Sequence, residues 1–371
     1  MKSLLEQLLF TAVRELVGTV VQHLPDARTV VVERTHDRAH GDFDSKVALR
    51  LSKGTGKTPR EVAEALVGAL PASVLVARVE VGGNGFINFF LAPGALAHEV
   101  RRVHELGDAY GHSSIGAGER VIVGALSGPR DVVQGWYAAH SDALAKVLGA
   151  AGYEVQREAL LGVPAESAQS PGGSERDFLP SRPAIEGFFK HVRLHRGKDE
   201  VQIPTLHALR KEIGDDACRF FFLLRSPQQP LDFDLKLATS RTPENPLYSV
   251  QYAHARVASV MKEVTARAIS FDLIAGLDQL NLLDKPTEQS LIATLLRFPD
   301  ELESAAANCA PHAIVYYLRE LANSFHIYYT AETWLVDEVA LRNARLALVL
   351  AAGRVIRNGL ALIGVSAPES M

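Results

Sequence analysis

A chain of 371 residues is long enough for two or three domains, each with its own core. Hydrophobic content of 47% with 22% charged residues describes an ordinary globular protein and excludes a disordered or fibrous one. The net charge of −4 argues against a surface that grips DNA through bulk positive charge, and leaves open a shaped RNA site built from local patches.

The first segment carries an apolar periodic run, Leu4, Leu5, Leu8, Leu9, Val13, Leu16, Val17, Val20, Val21 and Leu24. Glu6, Gln7, Arg14 and Glu15 interrupt it, which predicts an amphipathic helix rather than a signal peptide or membrane span. The cytoplasm is then the expected location, with no membrane partner. Residues 29–33 predict a short β-branched strand, and Thr58-Pro59 opens a helix that turns Val62, Leu66 and Leu70 inward. Residues 74–81 and 85–91 predict a hairpin about Gly82-Gly83-Asn84-Gly85. Residues 1–110 thus read as an α+β domain.

Strand, helix and strand follow at 121–123, 142–152 and 153–155, one βαβ-like unit. Residues 161–184, rich in Ser, Pro, Gly and Glu, predict a loop or flexible linker. Residues 191–203 predict a hairpin turning at Arg196-Gly197-Lys198-Asp199. From Leu206 onward the period is helical, through Leu209, Ile213, Ala217, Phe220, Phe221 and Leu224. Leu247, Val250, Val257 and Val260 stripe a further helix, and three more carry the pattern to Leu362 as a helical bundle. The expected divisions are 1–110, 111–205 and 206–371. Cys218 and Cys309 lie inside helical patterns, so neither a disulfide framework nor a zinc site is expected.

Some patterns can be set aside. Gly56-Lys57-Thr58 is not a P-loop, because Leu51 stands where the earlier glycine must be. At His40-Gly41-Asp42, Asp42 and Asp44 lack a further partner at metal-ligand spacing. No metal and no cofactor are expected. Phe86 and Asn88 stand two apart on a strand and face one way; either Phe86 is core and Asn88 caps a turn, or the face binds a ligand. Lys46, Arg50, Lys53, Lys57 and Arg60 recur at three- and four-residue spacing, as phosphate contacts or as a plain solvated surface. Gly54-Thr55-Gly56 breaks any helix that would align them.

Segments in order along almost the whole chain resemble arginyl-tRNA synthetase. His40-Gly41-Asp42-Phe43, Lys57-Thr58-Pro59-Arg60-Glu61-Val62-Ala63 and Gly85-Phe86-Ile87-Asn88-Phe89 resemble its appended N-terminal domain. Ser141-Asp142-Ala143-Leu144-Ala145-Lys146 and Ala151-Gly152-Tyr153-Glu154-Val155 resemble the start of its catalytic domain. Leu223-Leu224-Arg225-Ser226-Pro227 and Leu231-Asp232-Phe233-Asp234-Leu235 resemble its junction to the anticodon-binding domain. Asn245-Pro246-Leu247-Tyr248-Ser249-Val250-Gln251-Tyr252-Ala253-His254-Ala255-Arg256 resembles the anticodon-binding helix. Ala344-Arg345-Leu346-Ala347-Leu348 and the segment 364–371 resemble its DALR-type end.

The resemblance implies an α+β first domain, a truncated α/β (Rossmann-like) remnant and an all-α anticodon-binding bundle. It also implies sites. Tyr248, Gln251, Tyr252, Ala253, His254, Arg256 and Met371 would meet the anticodon loop, where unpaired bases are read by stacking and edge hydrogen bonds. Phe86 and Asn88 would meet the tRNA elbow. Ser249 stands where the family commonly has a second tyrosine, and Ser370 where it has an arginine.

The family's ATP signatures, HIGH and KMSKS, supply His and Lys donors that stabilise developing charge. Here the first position reads Asp131-Val132-Val133-Gln134, after a shortened Ser127-Gly128-Pro129, and the second reads His195-Arg196-Gly197-Lys198. About one βαβ unit at most fits between Glu158 and Lys198. The expectation is a catalytically inactive, arginyl-tRNA synthetase-like protein that binds tRNA, an arginine isoacceptor, as adaptor or regulator. A protein partner could cover the truncated part. Two alternatives stand beside this: a minimal ATP-using ligase or transferase rebuilt around His191, His195 and Lys198, and a protein-interaction subunit with vestigial RNA surfaces.

Overall fold

The structure, a computed structural model, describes all residues except 27–28, 36–39, 54, 127, 160–175 and 178–191. The expected linker at 161–184 therefore lies outside the described residues, apart from a two-residue strand, and so does His191. The chain divides into two compact units, Met1–Arg101 and Arg102–Met371.

The first unit contains α1 (Lys2–Glu15), β1 (Glu33–Arg34), β2 (Phe43–Ser45), α2 (Val47–Leu51), α3 (Pro59–Gly68), β3 (Val76–Gly82) and β4 (Phe86–Leu91). The antiparallel sheet runs β1-β2-β4-β3. Leu5, Leu9 and Val13 of α1 pack with Val62 and Leu66 of α3 and with Ile87 and Phe89 of β4 in one core. α1 stops at Glu15, well short of Leu24, because the chain turns back through Gly18 at φ +85. The strand expected at 29–33 is confined to β1. Val30 and Val32 are buried in irregular backbone, and the Val32 N–H bonds to Glu6 Oε1 at 3.1 Å instead of a ladder partner.

Two glycines of the quoted motifs have steric reasons. At Gly41 (φ +94) a Cβ would lie 2.7 Å from the Phe89 carbonyl oxygen, and at Gly85 (φ +113) 2.7 Å from Pro59 C and O. Asp42 completes the first motif structurally, its Oδ2 accepting from the Leu91 N–H at 2.9 Å.

α4 (Pro93–Leu106) runs into the second unit. There β5 (Arg120–Ala125), α5 (Val132–Ala150), β6 (Glu154–Ala159) and β7 (Arg176–Asp177) make a parallel sheet in the order β6-β5-β7. α5 begins ten residues before the expected 142. Trp136, Tyr137, His140, Leu144, Val147 and Leu148 are all buried, so the helix is covered on most sides and shows no clean amphipathic stripe. β8 (Val192–Arg196) and β9 (Asp199–Glu200) form the expected hairpin, turning at Gly197. β10 (Leu231–Asp234) joins it, parallel to β8. This strand interrupts the region read as helical; its alternation of buried Leu231 and Phe233 with exposed Asp232 is a period of two.

The helices are α6 (Leu206–Ile213), α7 (Asp215–Phe222), α8 (Leu235–Thr239), α9 (Pro246–Ala266), α10 (Leu273–Asp278), α11 (Pro286–Leu295), α12 (Phe298–Ala307), α13 (His312–Ala331) and α14 (Val339–Ile363). Five follow α9 where the sequence pattern suggests three. α14 is long and apolar enough to cross a membrane, but 72% of its most apolar window is buried in the bundle, as in a core helix. An ionic centre lies against it: Arg345 Nε donates to Glu288 Oε1 at 2.8 Å and Nη2 to Glu332 Oε2 at 3.3 Å. Glu288 is fully buried and Arg345 is 5% exposed.

Side-chain contacts tie the sheet region to these helices. Trp136 Nε1 and His140 Nε2 both reach the Phe222 carbonyl, at 2.8 and 3.1 Å. Asp142 pairs with Arg157 and, at 3.1 Å, with Arg219. Lys146 Nζ donates to the Ala361 carbonyl at 3.0 Å. Burial pushes His140 down to about 3, so it is neutral in this interior.

Candidate nucleic-acid interface

Asn245 sets the start of α9. Its Oδ1 accepts from the Leu247 and Tyr248 N–H groups, its Nδ2 donates to the Ala238 and Ser240 carbonyls, and Pro246 occupies the first helical position. This cap, worth about 1 kcal/mol, fixes Tyr248 in the first turn. Tyr252 follows one turn later and stacks on Tyr248 at 5.4 Å with an interplanar angle of 14°. One further turn on, the Arg256 guanidinium lies between two rings, 4.5 Å from Tyr252 and 4.4 Å from Tyr329. Tyr329 contacts Trp334 at 4.5 Å.

His326 holds this ladder to the helix. It donates from Nε2 to the Ser249 carbonyl at 3.0 Å and accepts from Arg256 Nη1 at 3.2 Å on Nδ1. Burial lowers its pKa, the Ser249 bond opposes this and the neighbouring Arg256 adds to it, so the ring stays neutral and keeps an acceptor for the arginine. Tyr248, Tyr252, Arg256, Tyr329 and Trp334 are all half-buried, leaving flat edges for a ligand.

Beside the ladder opens a cleft of about 600 Å³ lined by Tyr248, Gln251, Asp216, Arg241, Ser366 and Met371 among others. Met371 is 51% exposed there. The structure thus brings Tyr248, Gln251 and Met371 together. Gln251, however, is 8% exposed, and its amide donates to Asp216 Oδ2 at 2.9 Å and to the Ser366 carbonyl at 3.1 Å. It holds protein and does not present a free donor to a base edge. His254 likewise donates to the Pro368 carbonyl at 2.9 Å, and Ala253 is fully buried.

In the first unit, Phe86 and Asn88 point away from the core side that takes Ile87 and Phe89. Phe86 is half-buried with Lys46 Nζ 6.0 Å from its ring, whereas Asn88 is 7% exposed. The five basic residues do not form one helical stripe. Lys46 caps α2 and Arg50 lies within it, Lys53 and Lys57 are exposed on the turn, and Arg60 lies in α3. Lys46 pairs with Glu33 at 3.0 Å, and Arg60 with Glu64 at 2.9 Å.

The positions read against HIGH form a helix cap. Asp131 Oδ1 accepts from the Gln134 N–H, and Gln134 Oε1 accepts from the Arg130 N–H, both at 2.8 Å. Val132 and Val133, with Asp131, line a cleft against β8. Lys198 is exposed in the β8–β9 turn, and His195 is held by the Gly197 carbonyl at 2.9 Å and Asp232 at 3.3 Å.

Residues 3–91 match the model of the arginyl tRNA synthetase N terminal domain, and residues 250–371 that of the DALR anticodon binding domain. An arginine–tRNA ligase of Thioalkalivibrio sulfidiphilus is 30% identical over 92% of this chain and 95% of its own length. The chain belongs to the arginyl-tRNA synthetase family. The arginine–tRNA ligase of Coxiella burnetii is 28% identical and aligned over the whole of both chains, in an alignment of 586 positions. That of Legionella pneumophila is 48% identical over 48% of this chain and 32% of its own. The solved arginyl-tRNA synthetases of Thermus thermophilus (TM-score 0.73, 16% identity, 100% of both chains) and Plasmodium falciparum (TM-score 0.68, 9% identity, 100% and 99%) share the fold.

These relatives correct one expectation. Proteins matching this family member along its length are named arginine–tRNA ligase, an enzyme, so the expectation that the chain is no enzyme does not stand.

Tyr329, Trp334, His326 and Asp216 escaped the sequence analysis. Phe325, His326, Tyr328, Tyr329 and Trp334 form a visible aromatic cluster. Which rings face α9 depends on how α13 packs, and spacing alone does not supply that.

Proposed function

We propose that this chain binds a tRNA, an arginine isoacceptor, in the cytoplasm, with a part in presenting or withholding that RNA. The anticodon loop meets the ladder and cleft of the second unit. The elbow meets the sheet face of the first unit that carries Phe86, with Lys53 and Lys57 as phosphate contacts. The observation that carries this proposal is the half-buried ladder of Tyr248, Tyr252, Arg256 and Tyr329 beside an open cleft. Stacked aromatic faces joined by a cation suit unpaired bases and the phosphates between them. Family membership supports the same choice of ligand.

The test is fluorescence anisotropy with labelled tRNAs at one fixed salt concentration, since salt sets the electrostatic part of such affinities. Arginine tRNA should bind at least about tenfold more tightly than other tRNAs, and Tyr252→Ala should lose about tenfold, as expected for one stacked base. Equal affinity for all tRNAs, or no binding, rejects the proposal.

A further inference from the structure

The cleft beside the ladder has walls of two kinds. One is built on α7, α8 and α9 with the turns beside them; the other is the segment 365–371, which contains no helix or strand. This segment leaves α14 through Gly364 in the left-handed conformation (φ +70) and is seated first by buried Val365. Side chains of the opposite wall then tie it down. Asp216 Oδ1 accepts from the Ser366 N–H at 3.1 Å, and Asp216 Oδ2 accepts from the Ser366 hydroxyl. Gln251 Nε2 joins both, donating to Asp216 Oδ2 at 2.9 Å and to the Ser366 carbonyl at 3.1 Å. Beyond Ser366, His254 holds Pro368.

We infer that Asp216 is a positioning residue, the clamp that holds segment 366–371 against α9 so that Met371 walls the RNA-contacting cleft. Both of its oxygens are engaged, by three donors from two separate elements, and bonds to an ionised carboxylate are the strong ones. Without Asp216, the Ser366 N–H and the Gln251 amide each lose an acceptor at once, and the segment keeps only weaker ties. The clamp acts through Met371, not by touching RNA. The inference rests on the proposal that this cleft meets tRNA.

The experiment is a double-mutant cycle in the full chain: Asp216→Ala, removal of residues 366–371, and both together, with tRNA anisotropy and amide exchange at Ser366 as readouts. Asp216→Ala should weaken tRNA binding about tenfold in the full chain and less than about twofold in the shortened one. Exchange at the Ser366 amide should quicken by at least about tenfold, and Asp216→Asn, which keeps an acceptor oxygen, should fall between. Equal losses in both backgrounds, as a general folding defect would give, overturn the inference. Unchanged exchange at Ser366 also overturns it. If the unaltered chain binds no tRNA but Asp216→Ala still frees Ser366, the tRNA proposal fails while the clamp stands.

Discussion

Arg345→Met keeps most of the length and apolar bulk of a side chain that is 5% exposed, and removes its charge. Fully buried Glu288 then retains the Lys285 N–H, 3.0 Å from Oε2, but loses the guanidinium 2.8 Å from Oε1. Glu332 loses the same partner and keeps the Thr287 hydroxyl at 2.9 Å. Removing one member of a buried pair leaves an uncompensated charge and costs about 3–5 kcal/mol, against at most ~1 kcal/mol for an exposed pair. Set against a total stability of about 5–15 kcal/mol, that is a large share. Adding Glu288→Gln removes the stranded charge and keeps an acceptor for Lys285, so the double variant should regain about 2 kcal/mol. Urea unfolding followed by tryptophan fluorescence reads this from the second unit, since Trp136 and Trp334, the chain's two tryptophans, both lie in it. A loss under ~1 kcal/mol for Arg345→Met, or a double variant weaker than the single, would refute the reasoning.

His140 is held down to about 3 by burial, whereas in the unfolded chain it takes a proton near the ordinary histidine value of 6.5. Proton uptake therefore favours unfolding: the contribution is fully present above that unfolded value and is lost as pH falls through the folded one, at up to ~1.4 kcal/mol per pH unit. His140→Gln should flatten the fall of the urea midpoint with acid; an unchanged slope would count against the assignment. Gly85→Ala should destabilise the first unit by ~1–3 kcal/mol, because φ +113 and the close Pro59 backbone both resist a side chain. Amide exchange in β4 reads this, and wild-type protection in the variant would contradict it. Replacing Lys53 and Lys57 with alanine should weaken binding to all tRNAs alike and lower the salt slope by about 1–2. An unaltered slope would remove these lysines from the phosphate contacts.

The fold was legible where burial is one-sided. Thr58-Pro59 announces α3, and Asn245-Pro246 announces α9, because a cap and a first-turn proline act locally. α5 was half hidden because burial on most sides erases its period, and β10 because a short parallel strand draws its pairing from β8, far off in sequence. Of the site, Tyr248, Tyr252, Arg256 and Met371 could be named from the resemblance. Their partners on α13, and the engagement of Gln251 by Asp216 and Ser366, arise from packing between elements distant in the chain. The break that the glycines at 54–56 signal falls between α2 and α3, so the basic residues lie on two helices and the turn between them, as local backbone chemistry suggests.

The parallel pairing of β8 with β10 has a consequence for the order in which the chain is made. β8 is complete once residue 196 has been synthesised and its hairpin with β9 closes at once, yet the strand that satisfies its other edge spans residues 231–234, and the carbonyl that anchors Trp136 and His140 belongs to Phe222. At about 5–20 residues per second of synthesis, β8 waits seconds on the ribosome with one edge unpaired, the kind of surface that recruits other strands. A nascent chain halted after the hairpin should therefore remain unfinished and sticky. The sheet closes only when the first helices beyond it have emerged.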